Sequence, residues 1–223
     1  ALTRPFLGFE GDFRAEIADE DGKININYLA SSTRQDIRQD PIAMAMHSLM
    51  QHERFDEMFE QRNEYDRWEV IANIKDYIDA DNMGSTVMGG YEDGLYDDAD
   101  LWGRDYKPKN LPFDTLDEVQ LVAGVSDEVY LTFGPQWTIH GDNKINITTA
   151  NDAMLFALVR AFADYQVSDQ LIREILATDI YMFKLLNQLT TDNFVETFKG
   201  RGVTFTDESG LKALIKTQSK HFT

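Results

Sequence analysis

The spacing of apolar residues changes period several times along the chain, and each change predicts an element. Phe13, Ala15 and Ile17 alternate with Arg14, Glu16 and Ala18, after which Asp21 and Gly22 predict a turn into the extended residues 23–27. From about residue 33 the period becomes helical. Asp40 followed by Pro41 reads as a cap and a first-turn proline, and Ile42, Ala45, Met46 and Leu49 fall on one face. A stronger helix is predicted over 63–77, where Trp68, Ile71, Ile74 and Ile78 recur at helical spacing.

Residues 115–133 predict two short helices about Gly124. Asp114 or Thr115 can cap the first, Glu118 stands at capping-box spacing from Thr115, and the pair has the look of a helix-hairpin-helix. Residues 137–140 and 144–147 read as extended around Gly141, Asp142 and Asn143. Helices are then expected over 150–163, 169–177 and 180–189, the first burying Met154, Leu155, Leu158, Val159 and Phe162. Gly200, Arg201 and Gly202 break the helical run, 203–205 is short and extended, and 211–215 is ambiguous. One internal repeat stands out: Lys23, Ile24, Asn25 and Ile26 return as Lys144, Ile145, Asn146 and Ile147. A shared strand-to-helix corner capped by Asn or Thr side chains explains it, and so does a duplicated unit.

Composition adds a sign. The 223 residues carry 39 acidic and 21 basic side chains, a formal charge of −18 that repels nucleic-acid phosphates and anionic lipid and favours cations. There is no cysteine, which excludes disulfides, thiolate metal sites and cysteine nucleophiles. No apolar run is long enough to cross a bilayer, and a chain opening on Ala1 reads as a processed or trimmed piece.

The acid is concentrated in residues 76–100, which hold eight carboxylates and no Lys or Arg, broken by Gly84, Gly89, Gly90 and Gly94. Oxygen ligands of this kind suit a hard cation, above all calcium. An EF-hand started at Asp79 fits at Asp81 and Gly84 but fails at Met83 and Gly90, where ligands are required. A different calcium loop and a solvated acidic loop both remain open on composition alone. His47 and His52 are five apart and do not share a helix face as a zinc pair would. No nucleophile elbow, phosphate loop, dinucleotide fingerprint or zinc-protease motif occurs, and a non-enzyme is expected. The turn about Gly124 carries Asp127 and Glu128 where a phosphate binder wants lysine, so the hairpin is expected to be structural.

The order of these pieces resembles the K-type minor pseudopilin of the bacterial type II secretion system (general secretion pathway protein K). The resemblance rests on DGKININ at 21–27, YIDAD at 77–81, GYED at 90–93, NLPF at 110–113, TLDEVQLVAGVSDEVY at 115–130 and KINITTANDAMLFAL at 144–158. Two departures are Tyr91, where the family has Ala, and Thr148, where it has Asn. The resemblance implies an α+β fold: a pilin-like antiparallel sheet, partly truncated here, carrying a large inserted α-helical domain with SAM-like, helix-hairpin-helix halves. It divides the chain into 1–30 (sheet), 31–200 (insertion, with halves of about 31–140 and 141–200) and 201–223 (return to the sheet). It implies calcium in the insertion, with Asp79, Asp81, Glu92 and Asp93 as main ligands and Asp97 and Asp98 as second choices.

The implied role is that of a non-catalytic subunit at the pseudopilus tip, capping and initiating the fibre. Its implied partners are the I-type and J-type minor pseudopilins, with the H-type pseudopilin and the secreted substrate as further contacts. The implied location is the periplasmic face of the inner membrane, through an N-terminal helix absent from this chain. No nucleic-acid partner is expected. The alternative is a competence-type helix-hairpin-helix nucleic-acid-binding protein, which a salt-dependent association with DNA would reveal.

Overall fold

A computed structural model describes residues 17–32, 36–85, 95–96 and 107–223. The first strand, β1 (Ile24–Asn25), runs into a 3-10 helix (Ile26–Ser31). It pairs in parallel with β2 (Trp137–Thr138), Ile24 opposite Trp137, and with no strand before Gly22 among the described residues. The extended reading of residues 12–16 lies outside the described residues.

Two helices build the first half. Helix α1 (Pro41–Met50) starts as its sequence predicts, with the buried Asp40 carboxylate accepting from the Ile42 and Ala43 amides at 2.8 and 3.0 Å. Helix α2 (Arg67–Ile78) begins four residues later than the apolar spacing predicts. Asp66 caps it through the Trp68 and Glu69 amides, while Glu69 accepts from the Asp66 amide at 2.7 Å, completing a capping box. Asn63 is meanwhile committed elsewhere, donating to the Gly124 carbonyl at 2.8 Å. From Val70 to Ile78 every residue of α2 is buried, so this helix has no solvent face over its second half.

The hairpin at 115–133 forms with one change. Its first element is a 3-10 helix (Leu116–Leu121) carrying the expected Thr115–Glu118 box, and its second is α3 (Asp127–Phe133). Gly124 sits at φ +86°, with the Tyr65 ring 3.0 Å from where a Cβ would be, so only glycine fits the turn.

The second half opens on β3 (Ile145–Asn146), followed by α4 (Asp152–Phe162), whose predicted apolar face is buried throughout. The helices expected at 169–177 and 180–189 are continuous: α5 (Asp169–Ile175) passes through one π-helical stretch (Leu176–Ile180) into α6 (Tyr181–Leu185). Then follow α7 (Thr191–Gly200), α8 (Glu208–Leu214) and β4 (Ile215–Lys216), which pairs in parallel with β3. Helix α1 packs along α4, and α8 lies against both, so the core runs without interruption between the halves.

The repeated Lys-Ile-Asn-Ile segments adopt one structure. Each is a buried two-residue strand whose Asn turns the chain: Asn25 Oδ1 accepts from the Asn27 amide at 3.1 Å, and Asn146 Oδ1 from the Thr148 amide at 3.0 Å. Each strand is then matched in parallel by the strand that ends its half.

The buried Asp21 carboxylate ties the chain end to these corners. It receives the Lys216 ammonium at 2.7 Å, the Lys220 and His221 amides, and His221 Nδ1 at 2.9 Å. Burial pushes this carboxyl up, but the donors led by Lys216 outweigh burial and hold it well below the usual carboxylate range.

Candidate metal centre

The last turn of α2 carries Lys75, Asp76 and Asp79 into the interior, at 8%, 2% and 5% exposure. Ionisable groups are rarely buried to this degree without full pairing. Lys75 Nζ bonds Asp79 Oδ2 and, at 2.9 Å, Ser85 Oγ. Ser85 also donates its amide to Asp76 Oδ2 at 2.8 Å, folding the chain after α2 back over the helix end. One ammonium therefore faces two carboxylates, and a net negative charge stays buried at the C-terminal, negative pole of the helix.

Among the described residues the remaining oxygens have no donor. Asp76 Oδ1 and Asp79 Oδ1 are shielded from solvent and unpartnered among the described residues. So is Asn110 Oδ1, on a residue held at φ +50° whose amide donates to the Tyr77 carbonyl at 2.9 Å and whose Nδ2 donates to the Asp81 carbonyl at 3.0 Å. Burial pushes the Asp76 carboxyl up to about 6 against the Ser85 and Lys75 contacts, and burial raises Asp79 despite Lys75. Three buried acceptors, two of them carboxylate, all border the end of α2. Such oxygens suit a hard cation and offer nothing to a thiophilic one.

Asp81 behaves differently from its neighbour. It is exposed and closes its own turn, accepting from the Met83 amide at 2.9 Å. Glu92, Asp93, Asp97 and Asp98 lie outside the described residues. Among the described residues no group of three His, Cys, Asp or Glu side chains is assembled for a metal. Sequence reasoning passed over Asp76 and Asn110 as candidates. Asp76 has a legible signal, since it precedes Asp79 by three on an otherwise apolar helix end and so shares its face.

The acidic segment is not wholly solvated. Tyr96, in its middle, is 2% exposed, meets the Tyr77 ring edge-on at 6.1 Å, and its hydroxyl accepts from the Ala123 amide at 3.2 Å. Tyr77 stacks in turn on Phe113. That contact bears on the hairpin turn as well. The Ala123 amide is taken by Tyr96, the Ala123 carbonyl by Asn73 Nδ2 at 3.0 Å, and the Gly124 carbonyl by Asn63. A phosphate-binding hairpin presents free turn amides, whereas this turn is closed against the protein.

The hairpin is locked into a helical core whose strands, among the described residues, come in two short parallel pairs, which defines the fold as a mainly α-helical scaffold. Comparison gives the particular one: the family model for type II secretion system (T2SS), protein K, matches residues 22–140, and the chain belongs to that family of minor pseudopilins. The fold is similar to a chain in the crystal structure of the GspK-GspI-GspJ complex from the enterotoxigenic Escherichia coli type 2 secretion system. The TM-score is 0.63 at 19% identity, over 92% of this chain and 65% of that one, so the present chain spans less than two thirds of its solved neighbour. No curated protein sequence matches it. The family is a membrane-anchored, periplasmic structural component of protein secretion. Among the described residues no helix is long and apolar enough to cross a membrane.

Proposed function

We propose that the chain works at the tip of the type II secretion pseudopilus, capping and initiating the fibre together with I-type and J-type minor pseudopilins. The family match over residues 22–140 carries this reading, and the fold likeness to a complex of three such proteins supports it. Residues 31–200 act as a helical insertion with SAM-like halves (about 31–140 and 141–200), borne on a pilin-like antiparallel sheet from 1–30 and 201–223; the reciprocal backbone bonds of Ala18 with Thr223 support it, whereas strands 24–25 and 215–216 pair in parallel with the insertion. The two Asn-capped corners, each closed by its own parallel strand, support two halves of related design.

Calcium fastens the insertion. Supporting this are the oxygens of Asp76, Asp79 and Asn110 at the end of α2, which have no donor among the described residues. Asp81, Glu92, Asp93, Asp97 and Asp98 are the further ligand candidates, because a calcium ion takes six to eight oxygens. When bound, the ion supplies the positive charge that lets Asp76 and Asp79 stay ionised while buried. The role is mechanical: the charge neutralised at the helix end clasps the acidic segment onto α2. Calorimetric titration with calcium tests it. Saturable binding at about 10⁻⁴ to 10⁻³ M, the range of extracellular modules, is expected. Loss of that heat in the Asp79→Ala variant is expected too, and undiminished binding there would overturn the ligand assignment.

A further inference from the structure

A groove of about 680 Å³ follows the junction of α1 with α4, far from the acidic segment in sequence and opposite to it in charge. Arg38, Arg160, Arg173, His47, Trp68 and Phe156 line it, with Asp169 as an acid at its edge. A second groove of about 390 Å³ continues it, sharing Ser48, His52, Phe156 and Arg173 and adding Arg54, Phe55 and Asp152. Each falls in the size range of built ligand sites.

Three guanidinium groups along this path rest on aromatic faces. Arg173 lies 4.0 Å from the Phe156 ring centre, Arg54 4.4 Å from Phe55, and Arg38 6.0 Å from Trp68. All three arginines are exposed, and none makes an ion pair among the described residues. Arg160 is different: its guanidinium is spent on the carbonyls of Ala163, Asp164 and Val167 and on Asp169 at 3.5 Å. His47 stacks on Trp68 at 4.0 Å. Burial and the nearby Arg67 hold His47 down to about 4, so at neutral pH it is part of an uncharged aromatic wall.

In a chain of net charge −18, uncommitted arginines gathered in one groove call for an anionic occupant. A guanidinium already seated on an aromatic face keeps its outer N–H fork free, and that fork matches a carboxylate edge-on. The whole-molecule field argues against a long polyanion such as nucleic acid or an anionic bilayer, which would feel the surrounding acid. A short segment feels mainly charges within about 8 Å at physiological salt. We propose that this groove receives an acidic segment of a partner polypeptide. Its carboxylates bond Arg38, Arg54 and Arg173, and its apolar side chains lie against Trp68 and Phe156. The occupant meets the helical domain on a face separate from the end of α2, and the site is independent of whether calcium binds there.

The test is fluorescence anisotropy with a fluorescein-labelled peptide of roughly eight residues, Glu alternating with Leu, enough to run the length of such a groove. Saturable binding is expected, weakening several-fold between about 50 mM and about 300 mM salt. The Arg38→Gln, Arg173→Gln double variant is expected to bind about tenfold or more weakly. The matching double lysine variant should fall between, because charge is kept and the fork is lost. Arg201→Gln, whose guanidinium pairs with Glu174 and Asp179 elsewhere, should leave affinity unchanged. Thermal melts of all variants separate lost binding from lost folding, with the lysine pair as the milder change. Equal binding by the glutamine double variant, equal binding of a peptide with Gln in place of Glu, or tighter binding of single-stranded DNA would each overturn the proposal.

Discussion

Replacing Asp76 by Asn should stabilise the metal-free protein and lose that advantage when calcium is added. In the metal-free protein the Asp76 carboxyl is pushed up to about 6 from 3.8, chiefly by burial. A raised carboxyl pKa means that the folded state binds the proton more tightly than the unfolded one. Stability therefore falls as pH rises from about 3.8 to about 6, and the whole cost is present at pH 7. The shift of about two units corresponds to roughly 3 kcal/mol of destabilisation by the ionised form. Asn keeps an oxygen for the Ser85 amide and removes the charge, so without metal it should recover up to about 3 kcal/mol, or about 6–12 °C in melting temperature for a chain of this size.

Calcium should close the gap. At about a hundredfold excess over its dissociation constant, about 10–100 mM for the expected affinity, the ion stabilises wild type by about 2.7 kcal/mol and offsets most of the variant's advantage, while the variant gains less because a ligand is missing. Urea unfolding at pH 7, with chelator and with calcium at tens of millimolar, reads both states. If Asp76→Asn changes stability by the same amount in chelator and in calcium, the buried charge is not what the cation relieves, and the reasoning from the unpartnered oxygens fails.

Other expected outcomes follow from the fold. Asp21→Ala leaves Lys216 with Asp142 alone and frees the chain end; a loss of about 2–4 kcal/mol in denaturant melts, with early proteolysis after residue 216, is expected. Because the Asp21 pKa is lowered on folding, the stability it contributes is present above about pH 4 and lost as pH falls further, which acid titration of wild type against the variant checks. Gly124→Ala strains the turn at φ +86° and meets Tyr65, and should lower stability by about 1–3 kcal/mol in the same melts. Asn25→Ala and Asn146→Ala should cost similar amounts, about 1–2 kcal/mol each, since the two corners use the same bond.

What the sequence made legible was local chemistry. Asp40 with Pro41, Thr115 with Glu118, and the buried stripe of α4 are decided within one or two turns, and each appears as its spacing predicts. Pairings across the chain were not legible. Strands of two residues show no alternation, so nothing near Ile24 announces Trp137, and nothing near Ile145 announces Ile215. The start of α2 was misplaced because Asn63 bonds a carbonyl 61 residues away. At the candidate centre the sequence located the acid but not its burial: Asp81 is exposed, Asp76 is interior, and Asn110 joins only through the fold. Tyr96 gave no warning either, because an aromatic inside an acidic run becomes an anchor only where Tyr77 and Ala123 meet it.

The proposed function is that of a calcium-fastened subunit joining the other minor pseudopilins at the fibre tip. Its most direct test is to mix this chain with purified I-type and J-type minor pseudopilins and weigh the product by native mass spectrometry, with calcium and with chelator. The expected result is one assembly containing a single copy of each protein, with calcium ions retained on this chain. Three separate monomers under both conditions would contradict the tip reading, and an assembly that forms without any metal on this chain would contradict the calcium part of it.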